Sequence, residues 1–338
     1  MEASRSLQQQ EAVTIVRLKG RGERQCSWRP GISGTRKGLP SRSGGCMWTQ
    51  PVSRSQQSWD GPCLICFFLF NKKRPDVKTT DWFAPIIWEG TYNRQVLEKY
   101  YKRLNITIGL AVFAMGKFVD QYLQQFIHSA NKHFMKGYSV IFYILMDDFS
   151  KLPPIKLGPL RTLKLCIIFK QHTWKDLNYI YMRNFSVYIL GHIQYEVDFL
   201  FSMSVNQIFK NNFGVENLGK SVAQLHAWWY FGHAKNFPYE RRSKSAAFIP
   251  PGEGDFYYHS AIFGGTPREV LAFTEEYIKG IQNDTRRGLQ STYECYLNKY
   301  LFINKPTKLL SPEYNWDLNF RTPPQIKRVK IAWQSASI

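Results

Sequence analysis

Two acids on one short segment are the simplest way for a chain to hold a hard divalent cation through oxygen ligands, and this sequence offers two such pairs. Glu196-Val197-Asp198 has acid-x-acid spacing but stands at the entrance of an apolar run, where a structural role is expected, and Asp147-Asp148 closes another apolar run, the position a metal pair favours. Cys63-Leu64-Ile65-Cys66 has zinc-ligand spacing, yet zinc needs a second ligand pair and none follows, so it reads as a chance pair. Gln224-Leu225-His226-Ala227-Trp228-Trp229-Tyr230 and Trp316 point to sugar recognition, because aromatic faces stack on the apolar faces of sugars while a polar neighbour fixes orientation; core packing is the competing reading. Glu294, judged by residue type alone, is a lone surface glutamate.

Composition narrows the classes without choosing among them. The chain has 338 residues, room for one large domain or two modest ones, and is 44% hydrophobic, enough to bury a core. A net charge of +20 favours anionic partners. The cations are interleaved with carboxylates and no zinc-finger or RNA-recognition motif accompanies them, so nucleic acid is not expected as a partner. Of six cysteines only Cys166 and Cys295 lie beyond residue 70, which excludes a disulfide framework. Sequons at Asn105, Asn184 and Asn283 fit a luminal chain.

The elements that must position these residues begin late. Residues 1–60 are rich in Ser, Gly, Gln and Arg without sustained periodicity, so the segment 1–70 is expected to be disordered or atypical. The apolar run 63–70 is far short of the roughly 20 residues that span a bilayer. From residue 81 the organisation changes. Residues 105–114 read as a buried strand; Phe118, Tyr122, Phe126, Ala130 and Phe134 recur every four residues as an amphipathic helix, with Gly137 as its left-handed stop; residues 139–146 and 196–203 read as further strands. This alternation predicts a mostly parallel, Rossmann-like sheet with ligands beyond the carboxyl ends of its strands.

Longer blocks carry more. Phe237-Pro238-Tyr239-Glu240-Arg241-Arg242, then Glu253-Gly254-Asp255-Phe256-Tyr257-Tyr258, Leu297-Asn298-Lys299-Tyr300, and Lys305-Pro306-Thr307-Lys308-Leu309-Leu310-Ser311-Pro312-Glu313-Tyr314 resemble, in order and spacing, the family 6 retaining α-1,3-glycosyltransferases, over residues 71–333. The resemblance implies a GT-A fold of class α/β over 71–338, a nucleotide-sugar half and an acceptor half sharing one mixed sheet. It implies galactose transfer from UDP-galactose to a β-galactoside glycan or glycolipid in α-1,3 linkage with retention, Mn²⁺ as cofactor, and type II residence in the Golgi membrane; no transmembrane helix is evident here. The alternative is a catalytically inactive protein that binds glycans or nucleotides.

Residue by residue, the resemblance places the catalytic carboxylate at Glu294, nucleotide contacts at Phe113, Met115 and Phe118, donor-sugar contacts at His259, Ala261 and Val205, and acceptor contacts at His226, Trp228, Trp229, Trp316 and Asp317. His259 and Ala261 match the galactose-transferring pattern. The family's metal motif falls on Ser204-Val205-Asn206, where both carboxylates are missing, so tight metal binding is not expected. Asp147-Asp148 lies away from the nucleotide and reads as a solvated loop pair, and the arginine expected fifteen residues before Glu196 is Tyr181. A basic C-terminal tail that closes the site in the family is expected to be lacking.

Overall fold

The computed structural model describes residues 78–168 and 176–334, together with the backbone of the strand Val13–Val16 (β1). The pair Cys63/Cys66 and the apolar run 63–70 lie outside the described residues. No helix among the described residues is long and apolar enough to cross a membrane.

β-branched and aromatic runs form the sheet, as such residues pack well on a pleated, buried surface. Thr107–Phe113 (β3) and Ser139–Met146 (β4) pair in parallel from Thr107 against Ser139 to Phe113 against Leu145. Arg161–Ile167 (β5) joins β4, and Phe199–Ser204 (β6) joins β3, both in parallel. With Ile86–Ile87 (β2), Ser221–Leu225 (β8), Tyr258–Gly265 (β9) and Lys308–Leu310 (β10) they make a nine-stranded sheet in the order β1-β5-β4-β3-β6-β9-β8-β10-β2. Gln207–Phe209 (β7) and Ile331–Trp333 (β11) form a separate antiparallel pair. In the large sheet β9 alone runs against its neighbours, β6 and β8. The architecture is a GT-A-like α/β fold.

Within the segment expected to be disordered or atypical, Val13-Thr14-Ile15-Val16 pairs in parallel with β5, because a β-branched tetrapeptide can satisfy its backbone on an open strand edge. Two elements differ from their expected bounds. The strand expected to begin at Glu196 begins at Phe199, since Ile193–Tyr195 forms a 3₁₀ turn that Glu196 caps. The amphipathic helix forms as a π turn Val119–Leu123 running into the helix Gln124–His133, and it stops before Gly137: Phe134 is extended and Met135 takes the left-handed conformation (φ 42°), held by a 2.7 Å bond from its N–H to Phe213 O.

Both faces of the sheet are buried, as parallel sheets require. On β4, Phe142 and Ile144 point into one core with Phe126, Phe134, Phe201 and Phe213, while Tyr143 and Leu145 point into the other with Tyr181, Phe185, Phe273 and Tyr277. The entrance pair is structural, as expected: Glu196 accepts from Tyr143 OH at 2.5 Å and Lys164 Nζ at 2.7 Å, and Asp198 accepts from Thr107 N at 2.8 Å. Asp148 caps the turn Phe149–Lys151 through Ser150.

Gly265 ends β9 at φ +154°, where an added Cβ would lie 2.1 Å from Lys220 O. Gly265→Ala is therefore expected to cost about 2–4 kcal/mol in urea denaturation, through backbone strain and a clash with main chain that cannot yield. A loss below about 0.5 kcal/mol would show that the crossing of β9 is not held this tightly.

Candidate active site

The carboxyl ends of β3, β6 and β8 and the amino end of the antiparallel β9 open on two neighbouring cavities. The first, of about 500 Å³, is lined by Phe113 from β3, Ser204 from β6, the turn Val205-Asn206, Tyr181, Ser260 and Glu294, among others. The second, of about 770 Å³, is aromatic: Trp228, Phe231, Trp316, Phe320 and Trp333 line it with His226, His259, Asp317 and Arg321. They meet where His259 Nδ1 and Glu294 Oε2 are 3.9 Å apart.

Glu294 is the second residue of the helix Tyr293–Ile303, whose N-cap Thr292 accepts from Cys295 N at 3.2 Å. A carboxylate in the first helical turn also sits favourably in the helix dipole. Two contacts one turn apart fix this helix against β9. Asn298 accepts from Tyr258 N and donates to Tyr258 O, each at 2.8 Å, and Glu294 Oε2 accepts from Ser260 N and Ser260 Oγ, each at 3.0 Å. One helical turn rises about 5.4 Å and two strand residues about 6.8 Å, so positions four apart on the helix meet positions two apart on the strand.

The N–H groups come from a bulge. β8 pairs Ala223 with Phe263 and then Gln224 with His259, so residues 260–262 stand outside that ladder. Released from pairing with β8, the N–H of Ser260 turns to Glu294 and that of Ala261 to His259 Nδ1 at 2.9 Å. His226 follows β8; its backbone N–H donates to Tyr257 O at 3.0 Å, and its ring centroid lies 4.6 Å from that of His259. Burial pushes both imidazoles down from 6.5 to about 4, and the neighbouring His259 adds to the effect on His226. Trp333 packs against His259 at 5.2 Å, and the next residue, Gln334, bonds Val205 O, Asn206 O and Gln207 O, so the described end of the chain is stitched to the turn after β6.

Most residues selected from sequence converge here. Phe113, Phe118, Ser204, Val205, Asn206 and Glu294 share the first cavity; His226, Trp228, His259, Trp316 and Asp317 share the second. Three do not line either. Met115 is buried in the core, as is Ala261, whose N–H instead orients His259. Trp229 faces away, against Phe237 and Tyr257. Sequence reading missed Ser260, whose role comes from a backbone bulge that no motif announces. Tyr181, at the position of the expected arginine, is buried, bonds Ser202 Oγ at 2.6 Å and stacks on Phe185. At the metal-motif turn, Ser204 and Asn206 present neutral oxygens only. That donor set does not fit Mn²⁺, which is held mainly by carboxylates.

A mostly parallel sheet that aims one fixed carboxylate between a polar-aromatic cavity and an aromatic cleft defines a GT-A glycosyltransferase frame. Comparison with known proteins gives the family. The model of glycosyltransferase family 6 matches residues 65–338, and the chain belongs to that family. It is 62% identical over 265 residues to the glycosyltransferase 6 domain-containing protein 1 of Macaca fascicularis, covering 78% of this chain and 86% of that one. It is 64% identical over 264 residues to the N-acetyllactosaminide alpha-1,3-galactosyltransferase-like 1 of Mus musculus (78% and 83% covered). Against the globoside alpha-1,3-N-acetylgalactosaminyltransferase 1 of Gallus gallus it is 41% identical over 263 residues (77% and 76% covered).

The histidine pair sets a pH dependence. Imidazoles held neutral bind protons less readily in the folded than in the unfolded chain, so the stability they contribute is present above the unfolded value near 6.5 and lost as pH falls towards 4. The unfolding free energy should fall across that window, by on the order of 1–3 kcal/mol per imidazole, with the melting temperature falling alongside it, and His259→Asn should flatten the fall. An unchanged slope in that variant would contradict the burial of a neutral His259.

Proposed function

We propose that this chain is a retaining hexosyltransferase that moves galactose from UDP-galactose to a β-galactoside, glycan or glycolipid, in α-1,3 linkage. One observation carries the proposal: the Glu294 carboxylate is pinned by Ser260 N–H and Oγ at the meeting of the two cavities. A carboxylate held there can lie against the anomeric carbon and offset the positive charge of an oxocarbenium-like state, as nucleophile or as electrostatic partner. The first cavity would take the nucleotide sugar, with Phe113 and Phe118 beside the base and Val205 and His259 beside the hexose. The second would take the acceptor, with Trp228 and Trp316 offering faces to the sugar and Asp317 a hydrogen-bond acceptor. Manganese finds no carboxylate at Ser204 and Asn206. The names of the relatives support transfer of galactose or N-acetylgalactosamine; the histidine at 259 supports galactose, since a bulky wall excludes a larger substituent at a modest margin. The proposed setting is the Golgi membrane system, and Asn105 and Asn283 are exposed as glycan acceptors must be.

A second reading, binding of nucleotide or glycan without turnover, is favoured by the two lost carboxylates and by Tyr181, which leave fewer charges against a departing diphosphate. Turnover decides between them. Purified protein should hydrolyse UDP-galactose or transfer it to lactose, and Glu294→Gln should lower that rate at least about a hundredfold while the melting temperature holds. Calorimetry should give a UDP affinity that Mn²⁺ barely alters, and Ser204→Asp with Asn206→Asp should create a response. Absence of turnover, with UDP and galactosides still bound, selects the second reading; full turnover in Glu294→Gln removes that residue from the site.

A further inference from the structure

The place where the two cavities meet holds a second chemistry that sugar transfer does not use. His226, His259 and Glu294 each bring one ligand atom to within 4.8 Å of the others. They come from three separate elements: the end of β8, the bulged β9, and the first turn of the helix Tyr293–Ile303. His226 Nδ1 is buried and has no hydrogen-bond partner, an unmet acceptor or donor at a place where burial without a partner is costly. Glu294 is already oriented by Ser260, the kind of outer hydrogen bond that fixes a metal-binding carboxylate.

We propose that His226, His259 and Glu294 form a transition-metal site that takes Zn²⁺, and that the ion competes with sugar chemistry by occupying the Glu294 carboxylate. Two imidazoles and one carboxylate are a donor set zinc accepts, with the fourth position left to water on the cavity side. Zinc bonds of about 2.0–2.2 Å bring tetrahedral ligand atoms to roughly 3.5 Å from one another, so the side chains must close from their present spacing, in which His259 Nδ1 and Glu294 Oε2 are 3.9 Å apart. Coordination through His259 Nδ1, the nitrogen nearest Glu294, exchanges the Ala261 N–H for the ion. Manganese, which favours oxygen donors, is a poor match for this set. The metal site stands apart from the proposed transfer activity; only the competition rests on it.

The test uses untagged protein without nucleotide. Titration with Co²⁺ should develop the visible absorption of a four-coordinate ion at one equivalent per chain, and Zn²⁺ should bleach it and raise the melting temperature. Mn²⁺ should do neither. His226→Gln, His259→Gln and Glu294→Gln should each weaken Co²⁺ binding at least about tenfold, with folding checked by circular dichroism; should a histidine variant fail to fold, Glu294→Gln decides. Absence of the absorption, or binding that persists unchanged in these variants, overturns the site. Where turnover exists, Zn²⁺ should inhibit it in the parent protein; turnover unaffected by bound Zn²⁺ overturns the competition while leaving the transfer reading in place.

Discussion

Because β9 enters the sheet antiparallel between β6 and β8, its backbone has to satisfy two ladders of different register at once, and it does so by leaving residues 260–262 outside the ladder to β8. The N–H groups released there have to find other acceptors. Ser260 finds Glu294 and Ala261 finds His259, so the same irregularity that lets the strand fit also aims the carboxylate and one imidazole. Asn298, one helical turn beyond Glu294, clamps both backbone groups of Tyr258 and removes the remaining freedom of the helix to slide along β9. Glycine at 264 and 265 is part of the same constraint, since any Cβ there would meet Phe201 or Lys220 at under 2.5 Å.

Around that fixed centre the two cavities differ in character. The second, proposed for the acceptor, is built from rings, Trp228, Phe231, Trp316, Phe320 and Trp333. In the first, proposed for the donor, packing and neutral groups dominate: Tyr181 is folded into the core beside Phe113 and Phe185, and neutral side chains stand at the turn after β6. Among the described lining residues Glu294 is the one charged group in that cavity. A diphosphate would therefore meet little opposing charge from these walls, and the binding of UDP would depend on stacking with Phe113 and Phe118 more than on coordination.

Strands β3 and β4 were legible because largely apolar runs of seven or eight residues, rich in β-branched and aromatic side chains, have few other ways to bury themselves. β6 was legible in kind but not in its start, since Glu196 and Asp198 are consumed by caps and ladder ends that look like strand in a period-two pattern. Glu294, His226 and His259 were legible through family blocks flanking them, not through local spacing; they are far apart in the chain and only the sheet brings them together. Met115 and Trp229 fell the wrong way for the opposite reason: they neighbour site residues in sequence, and the alternation of strand and helix faces turned their side chains into packing. Ser260 had no signal, because a bulge is a property of paired strands. The edge strand Val13–Val16 depended on a partner, β5, that its own segment does not reveal.

Transfer as proposed requires Glu294 to face the sugar carbon that is transferred, with nucleotide on one side and acceptor on the other. A crystal structure of the protein with UDP-galactose and lactose tests it most directly. Uracil is expected near Phe113 and Phe118, lactose across Trp228 and Trp316, and the galactose anomeric carbon in contact with Glu294 while Ser260 still holds that carboxylate. Ligands bound elsewhere, or a donor whose anomeric carbon is turned away from Glu294, would contradict it.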